Sequence, residues 1–363
     1  MKLVIFGLAV SSSWGNGHAT LWRGLCSALG RRGWQVAFFE RDVPYYAASR
    51  DLTELPGGGD LILYRDWNEV LPLARRHTGE ADVAMITSFC PDGIAAAYLM
   101  LDSAARLRVF YDLDTPVTLA KIAAGQPVAY IGPRGLRDFD LVLSYTGGRT
   151  LEELRRVLGA RRVAPLYGSV DPEMHKPAPV DDRYRAILGH LGTYSADRAE
   201  PLRALFAEPA RRLPSEKFLL AGSMYDVTFP WQPNIFLISH LIPADHPAFY
   251  CSCKLTLNVT RGVMARVGMC PSGRLFEAAA CGAPVLSDWW EGLDQFFEPG
   301  TEILIARNTE DVLDALGRGS RELARIAGAA RERALAQHTA SVRAAEMEQL
   351  LAMAAEPAVA ETA

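Results

Sequence analysis

Short, unbroken apolar runs, each followed by a loop and a stretch of helical spacing, constrain this chain more than any other feature. The first, "KLVIFGLAV", lacks polar alternation and so reads as a strand buried on both faces of a parallel sheet. "TLWRGLCSALGRRGW" then carries Leu21, Leu25, Ala28 and Leu29 on one helical face, with Gly30 and Gly33 placed to end the helix. "QVAFFE" closes a βαβ unit. Further strands are expected at 60–64, 82–88, 107–112 and 140–145, with helical stretches at 66–78, 91–105 and 148–158. "PLYGSVDPEMHKPAP" (165–179) breaks the rhythm with four prolines and a glycine, and reads as a linker. Strands resume at 186–192, 217–222, 234–239, 255–260, 284–288 and 302–306. Helices from about Asn308 to Met353 follow, then a frayed tail at 356–363.

The pattern predicts an α/β chain of two Rossmann-like domains. A length of 363 residues exceeds one ordinary core. The expected division is 1–168 for the amino-terminal domain, 169–178 for the linker and 179–339 for the second domain. A helix near 340–353 is expected to pack back on the first domain. A net charge of −4 predicts no general attraction to nucleic acid. No apolar run approaches the roughly 20 residues of a transmembrane span. The apolar amino terminus leads into loop and helix chemistry, not a cleavage site. Six thinly spread cysteines, with no zinc-like spacing around Cys251 and Cys253, read as free thiols of a cytoplasmic protein.

In open parallel sheets, ligands gather beyond the carboxyl ends of strands. The loop "SSSWGNGHAT" (11–20) stands there. Gly15 and Gly17 let backbone approach a ligand, Asn16 lies between them, and His18 sits near a helix start. A dinucleotide fingerprint needs a third glycine, and Thr20 takes its place; Glu40 alone imitates the ribose-binding acid. "YDLDTPVT" offers Asp112, Asp114 and Thr115. The D-x-D spacing admits either a metal or an Asx turn, and Asp114 also suits a hydroxyl acceptor or a base. "SYTGGRTLEEL" reads as a strand end with Thr150 capping a helix.

The richest stretch runs from Asn258 to Ile305. A strand ends near Thr260, a long loop follows, and Pro271-Ser272-Gly273 opens a small-residue helix. Such an N-terminus offers amides and a positive dipole to phosphate, with Arg261 and Arg274 adding charge-assisted bonds. Glu277, read in the first turn, suits two ribose hydroxyls. Trp289 and Trp290, with Glu291 and Asp294, read either as a sugar pocket or as core.

These residues resemble group 1 glycosyltransferases of the GT-B type, two Rossmann-like domains facing across a cleft. The likeness is closest to the bacterial spore-maturation (CgeB-like) glycosyltransferases. It runs through "SSWGNGHAT", "YDLDTPVTLAKIA", "LYGSVDPEMHKP", "LGTYSADR", "LTLNVTRG" and "PSGRLFEAAACGAPVLSDWWEGLDQFFEPGTEILIAR". It implies a metal-independent transferase taking a nucleoside diphosphate sugar, UDP-, GDP- or dTDP-linked, with no other cofactor and an unassigned acceptor. The implied donor residues are Gly192, Thr193, Arg198, Gly222, Arg261, Ser272, Gly273, Arg274, Glu277 and Glu291. Thr193 replaces the family's arginine, Arg198 stands for its lysine, and Met269 replaces the first of its paired glutamates. His18 or Asp114 is the implied base; Gly15, Asn16, Gly17, Asp112 and Thr115 are implied to line the cleft. Three rivals stand beside this reading: an NAD-dependent oxidoreductase, a non-catalytic nucleotide-sugar sensor and a nucleotide-sugar 2-epimerase.

Overall fold

A computed structural model describes residues 1–356. All but the first residue of the expected 356–363 tail lies outside the described residues. The chain divides into two compact units. The first comprises Met1–Tyr167 and the segment from Ala340, the second Gly168–Thr339.

In unit 1, seven parallel strands run β1 (Lys2–Gly7), β2 (Gln35–Arg41), β3 (Asp60–Tyr64), β4 (Val83–Thr87), β5 (Leu107–Asp112), β6 (Leu141–Ser144) and β7 (Val163–Pro165). Their order is β3-β2-β1-β4-β5-β6-β7, with β1 in register against both neighbours: Phe6 faces Phe39 and Ile86. The alternation of a strand sorts β1 between two cores. Leu3 and Ile5 enter one core, while Val4 and Phe6 enter the other. The helix Ala340–Ala355 completes the first core through Ala344, Met347 and Leu351. Met347 is wholly buried. Met347→Ala is therefore expected to destabilise unit 1 by about 2–5 kcal/mol, read from urea unfolding.

In unit 2, six parallel strands run β8 (Ala186–Leu191), β9 (Phe218–Ala221), β10 (Ile235–Ile238), β11 (Cys253–Asn258), β12 (Val285–Ser287) and β13 (Leu304–Ile305). The order is β10-β9-β8-β11-β12-β13.

Several local expectations are corrected. The first strand stops at Gly7, because the buried Glu40 carboxylate captures the amides of Val10 (2.7 Å) and Ser11 (2.9 Å) and bends the chain away. Of the two readings of D-x-D, the Asx turn forms, Asp112 Oδ1 accepting from Asp114 N at 3.1 Å, and it leads into a helix, Thr115–Ala123, which Pro116 favours in its first turn. The expected long loop after Thr260 holds a helix, Gly262–Val267. Thr150 is not an N-cap: Gly148, at φ 61°, holds that place and Thr150 is buried inside the helix. A side chain on Gly147 would strike the Tyr167 hydroxyl, so the glycine pair serves packing.

Candidate functional site

Unit 2 gathers its charged residues at the carboxyl ends of β8, β9 and β11. Gly192 follows β8 and Gly222 follows β9, and a Cβ on Gly222 would lie 2.2 Å from the Gly192 carbonyl oxygen. The two loops therefore touch through backbone. A Cβ on Gly192 would lie 2.5 Å from Arg274 Nη2, so that glycine makes room for a guanidinium. Arg274, second residue of the helix Gly273–Ala280, donates from Nη1 to Asn258 Oδ1 at 2.8 Å. Ser272 is the N-cap and makes no side-chain cap bond.

Arg198 donates from Nη1 to the Thr193 carbonyl at 2.7 Å, but its Nε is buried without a partner. Burial, with Arg274 and Arg261 nearby, pushes its pKa down to about 10. Arg261 has Asp197 at 3.5 Å. Asp288, half-buried and pushed up by desolvation, accepts from the Thr260 amide at 3.0 Å. Three guanidiniums thus share one corner, and Arg198 has no carboxylate at bonding distance. These half-buried guanidiniums outnumber the two carboxylates beside them, Asp197 and Asp288, so the arrangement fits a polyanion.

Sequence reading missed His190 in this corner. It is fully buried on β8. Nδ1 lies 2.9 Å from the Leu257 carbonyl, which only accepts, so Nδ1 carries the proton. Nε2 is buried without a partner, and burial followed by Arg274 and Arg198 holds the ring neutral. In sequence it reads as an ordinary strand residue.

Glu277 lies in the second helical turn, not the first, since the helix begins at Gly273. It therefore does not offset the dipole at the first amides. It is buried and accepts from the Tyr250 hydroxyl at 3.1 Å. Trp290 is core, buried with its ring 5.9 Å from Phe296, and Trp289 is exposed. Glu291 is exposed and serves locally through its carbonyl, which accepts from Met269 N at 2.7 Å. Met269 takes a left-handed backbone, φ 47°, unusual for its type.

In unit 1, His18 is the first residue of the helix His18–Arg31, and its Nε2 lies 3.5 Å from Asp114 Oδ2. The structure thus brings both candidate bases together. His18 Nδ1 is buried without a partner. Phe89, after β4, also takes a left-handed backbone, φ 63°, and its ring centroid lies 6.2 Å from that of His18. Sequence patterns carry no signal for such a conformation. The glycines and asparagine of the opening loop divide their work. Gly15, at φ 59°, makes the turn, and Gly17 precedes the helix without crowding. Asn16 is buried scaffold: Nδ2 donates to the Ala9 carbonyl at 2.6 Å and Oδ1 accepts from His18 N at 3.1 Å.

Asp112 and Thr115 are corrected from site lining to framework. Thr115 is buried and its hydroxyl lies 2.7 Å from that of Ser144. Asp112 is wholly buried; Oδ1 accepts from Asp114 N and Thr118 Oγ1, and Oδ2 has no partner. The D-x-D pair therefore does not present two oxygens to one ion. Burial pushes the Asp112 carboxyl up to about 7. A raised folded value means stability present at low pH and lost as pH climbs through that value. Asp112→Asn lacks this loss. Between pH 5 and 8, urea unfolding should show the wild type losing about 2–3 kcal/mol relative to the variant.

Residues 198–349 match the family described as Glycosyl transferase-like. No curated protein matches the chain. Among solved structures, the alpha-glucosyltransferase in complex with UDP-glucose and DNA containing an abasic site superposes with TM-score 0.71 at 11% identity, covering 97% of this chain and 99% of that one. Anabaena HepE in complex with UDP-glucose gives 0.69 at 13%, covering 97% and 100%. This is the GT-B fold. Sucrose-phosphate synthase from Thermosynechococcus elongatus adds 0.64 at 14%, covering 97% and 99%. The family match covers most of unit 2, and the likeness to these structures extends over 97% of the chain as a shared fold. Among the described residues no helix is long and apolar enough to cross a membrane.

Proposed function

We propose that this GT-B chain moves a sugar from a nucleoside diphosphate sugar to an acceptor hydroxyl, as a cytoplasmic enzyme of the CgeB-like group. The observation that carries the reading is the corner of Arg198, Arg261 and Arg274, where the Arg198 Nε is buried without a partner and no carboxylate stands at bonding distance from that guanidinium. Glycosyl transfer breaks the bond from the anomeric carbon to the phosphate oxygen, and the electron pair leaves with the diphosphate. Fixed guanidiniums and the amides of Ser272, Gly273 and Arg274 meet that charge, so no metal enters the chemical step. Glu277 accepts from the ribose, and the loops after Gly222 and near His240 hold the base. Gly192 and Thr193 supply backbone beside the phosphates. On unit 1, the His18–Asp114 pair takes the proton of the attacking hydroxyl. Two structural neighbours are bound to UDP-glucose, which makes UDP the first donor to try.

The test is thermal stabilisation by UDP, GDP, dTDP, CDP and ADP, their sugars and NAD(H), with and without Mg²⁺. A ligand at about 100 times its Kd adds about 2.7 kcal/mol. A shift with one nucleoside diphosphate, unchanged by Mg²⁺, is expected. A shift with NAD alone, or with none, overturns the reading. A second reading, a nucleotide-sugar binder without turnover, rests on Met269 at the position of the family's first glutamate. Donor binding without sugar transfer to any acceptor or water would select it.

A further inference from the structure

Behind the arginine corner lies a second cluster, which the transfer chemistry does not use as a unit. His175 comes from the irregular segment before β8, His246 opens the helix His246–Ser252, and Glu277 sits in the helix Gly273–Ala280. All three are buried, and one ligand atom from each lies within 4.8 Å of the others.

The tautomer of His246 is readable. Its Nε2 lies 3.4 Å from the Leu241 carbonyl, an acceptor only, so the proton sits on Nε2. Nδ1 then presents a lone pair. That lone pair faces His175 Nε2 at 3.4 Å and Glu277 Oε2 at 3.9 Å. His175 has no partner at Nδ1, so its polar contact is through Nε2. Without metal, His175 Nε2–H donates to that lone pair; a cation held by all three groups takes the place of this hydrogen, the proton leaving to solvent or moving to His175 Nδ1.

We infer that His175 Nε2, His246 Nδ1 and Glu277 Oε2 bind a divalent cation of the zinc class. The spacing fits. Bonds of about 2.0–2.2 Å in a tetrahedron place ligands about 3.3–3.5 Å apart. The histidine pair is already at that distance; the carboxylate, 3.9 Å from His246 and within 4.8 Å of His175, must close by about half an ångström toward the first and up to about 1.4 Å toward the second. Two imidazoles with one carboxylate favour zinc, cobalt or nickel over magnesium or calcium, which take oxygen ligands. The supporting contacts have the usual form: the Leu241 carbonyl holds one imidazole and the Tyr250 hydroxyl holds the carboxylate.

Three protein ligands leave a fourth position open. The cation ties the segment before β8 to two helices of unit 2, one of which carries Arg274.

The test uses the intact chain, stripped with a chelator and titrated with Co²⁺ alone. One equivalent should bind with the intense visible absorption of tetrahedral cobalt, and Zn²⁺ should displace it. His175→Ala, His246→Ala and Glu277→Gln should each weaken Co²⁺ binding by more than about tenfold. The wild-type titration decides the matter even where a variant fails to fold. No stoichiometric binding, or binding that survives all three substitutions in folded protein, overturns the site. Neither readout involves a nucleotide, so failure here leaves the donor reading standing, and failure of nucleotide binding leaves this site standing.

Discussion

Arg198→Met should make the ligand-free chain more stable and the donor complex weaker. The two effects have one origin. Arg198 Nε is buried without a partner, and Arg274 and Arg261 repel the same charge. In the ligand-free protein that charge is offset only through space, by Asp197 and Asp288, with no carboxylate at bonding distance. Replacing it by an apolar chain of similar length is often neutral or stabilises by about 1–4 kcal/mol. With a diphosphate present the sign reverses. A buried charge-assisted contact is lost, at about 2–5 kcal/mol, or roughly 30-fold to several thousand-fold in Kd. Thermal unfolding without ligand and calorimetric titration with UDP read the two halves separately. A variant that loses stability while keeping UDP affinity would return Arg198 to a structural role. Arg198→Lys is no substitute, because a point ammonium cannot reproduce the planar fork that also reaches the Thr193 carbonyl.

The architecture was legible because its signal is repetitive. Unbroken apolar runs such as 60–64 coincide with β3, and the break at 165–179 falls where regular structure lapses between β7 and β8. Boundaries slipped where a side chain captured backbone, as Glu40 does beyond Gly7, since pairing across the fold has no local pattern. The arginines were legible as types: Arg198, Arg261 and Arg274 are foreign to apolar strand ends. Their excess over the carboxylates beside them was not, because it depends on which groups lie near in space. His190 and His175 stayed hidden for the same reason. A histidine in a strand or a proline-rich segment carries no mark of its partners. Asp112 shows the converse. The D-x-D spacing admitted either a shared ligand or an Asx turn, and the turn forms: β5 ends at Asp112, whose Oδ1 accepts from Asp114 N, and the new helix begins after Asp114. Asp112 thus points into the core, and Asp114 toward His18.

His18→Ala should cut kcat by about 10²–10⁴ and leave the donor KM within a few-fold. The argument starts from placement. His18 opens the first helix, held there by Asn16 Oδ1 on its amide, so its ring orientation is tied to a buried loop scaffold. Asp114 Oδ2 lies 3.5 Å from Nε2, so a carboxylate stands beside the ring that receives the acceptor proton. A base acts as the hydroxyl attacks, so its loss appears in turnover and not in ground-state donor binding. Asp114→Asn should also lower kcat, by less than His18→Ala, since the carboxylate assists and does not itself take the proton. The pair acts as a unit, so the double variant should fall little below His18→Ala alone. Steady-state rates with varied UDP-sugar and saturating acceptor separate the outcomes. Equal losses in kcat and donor affinity would place His18 on the donor. An unchanged kcat would leave the acceptor to lose its proton to water, with His18 reduced to the start of a helix.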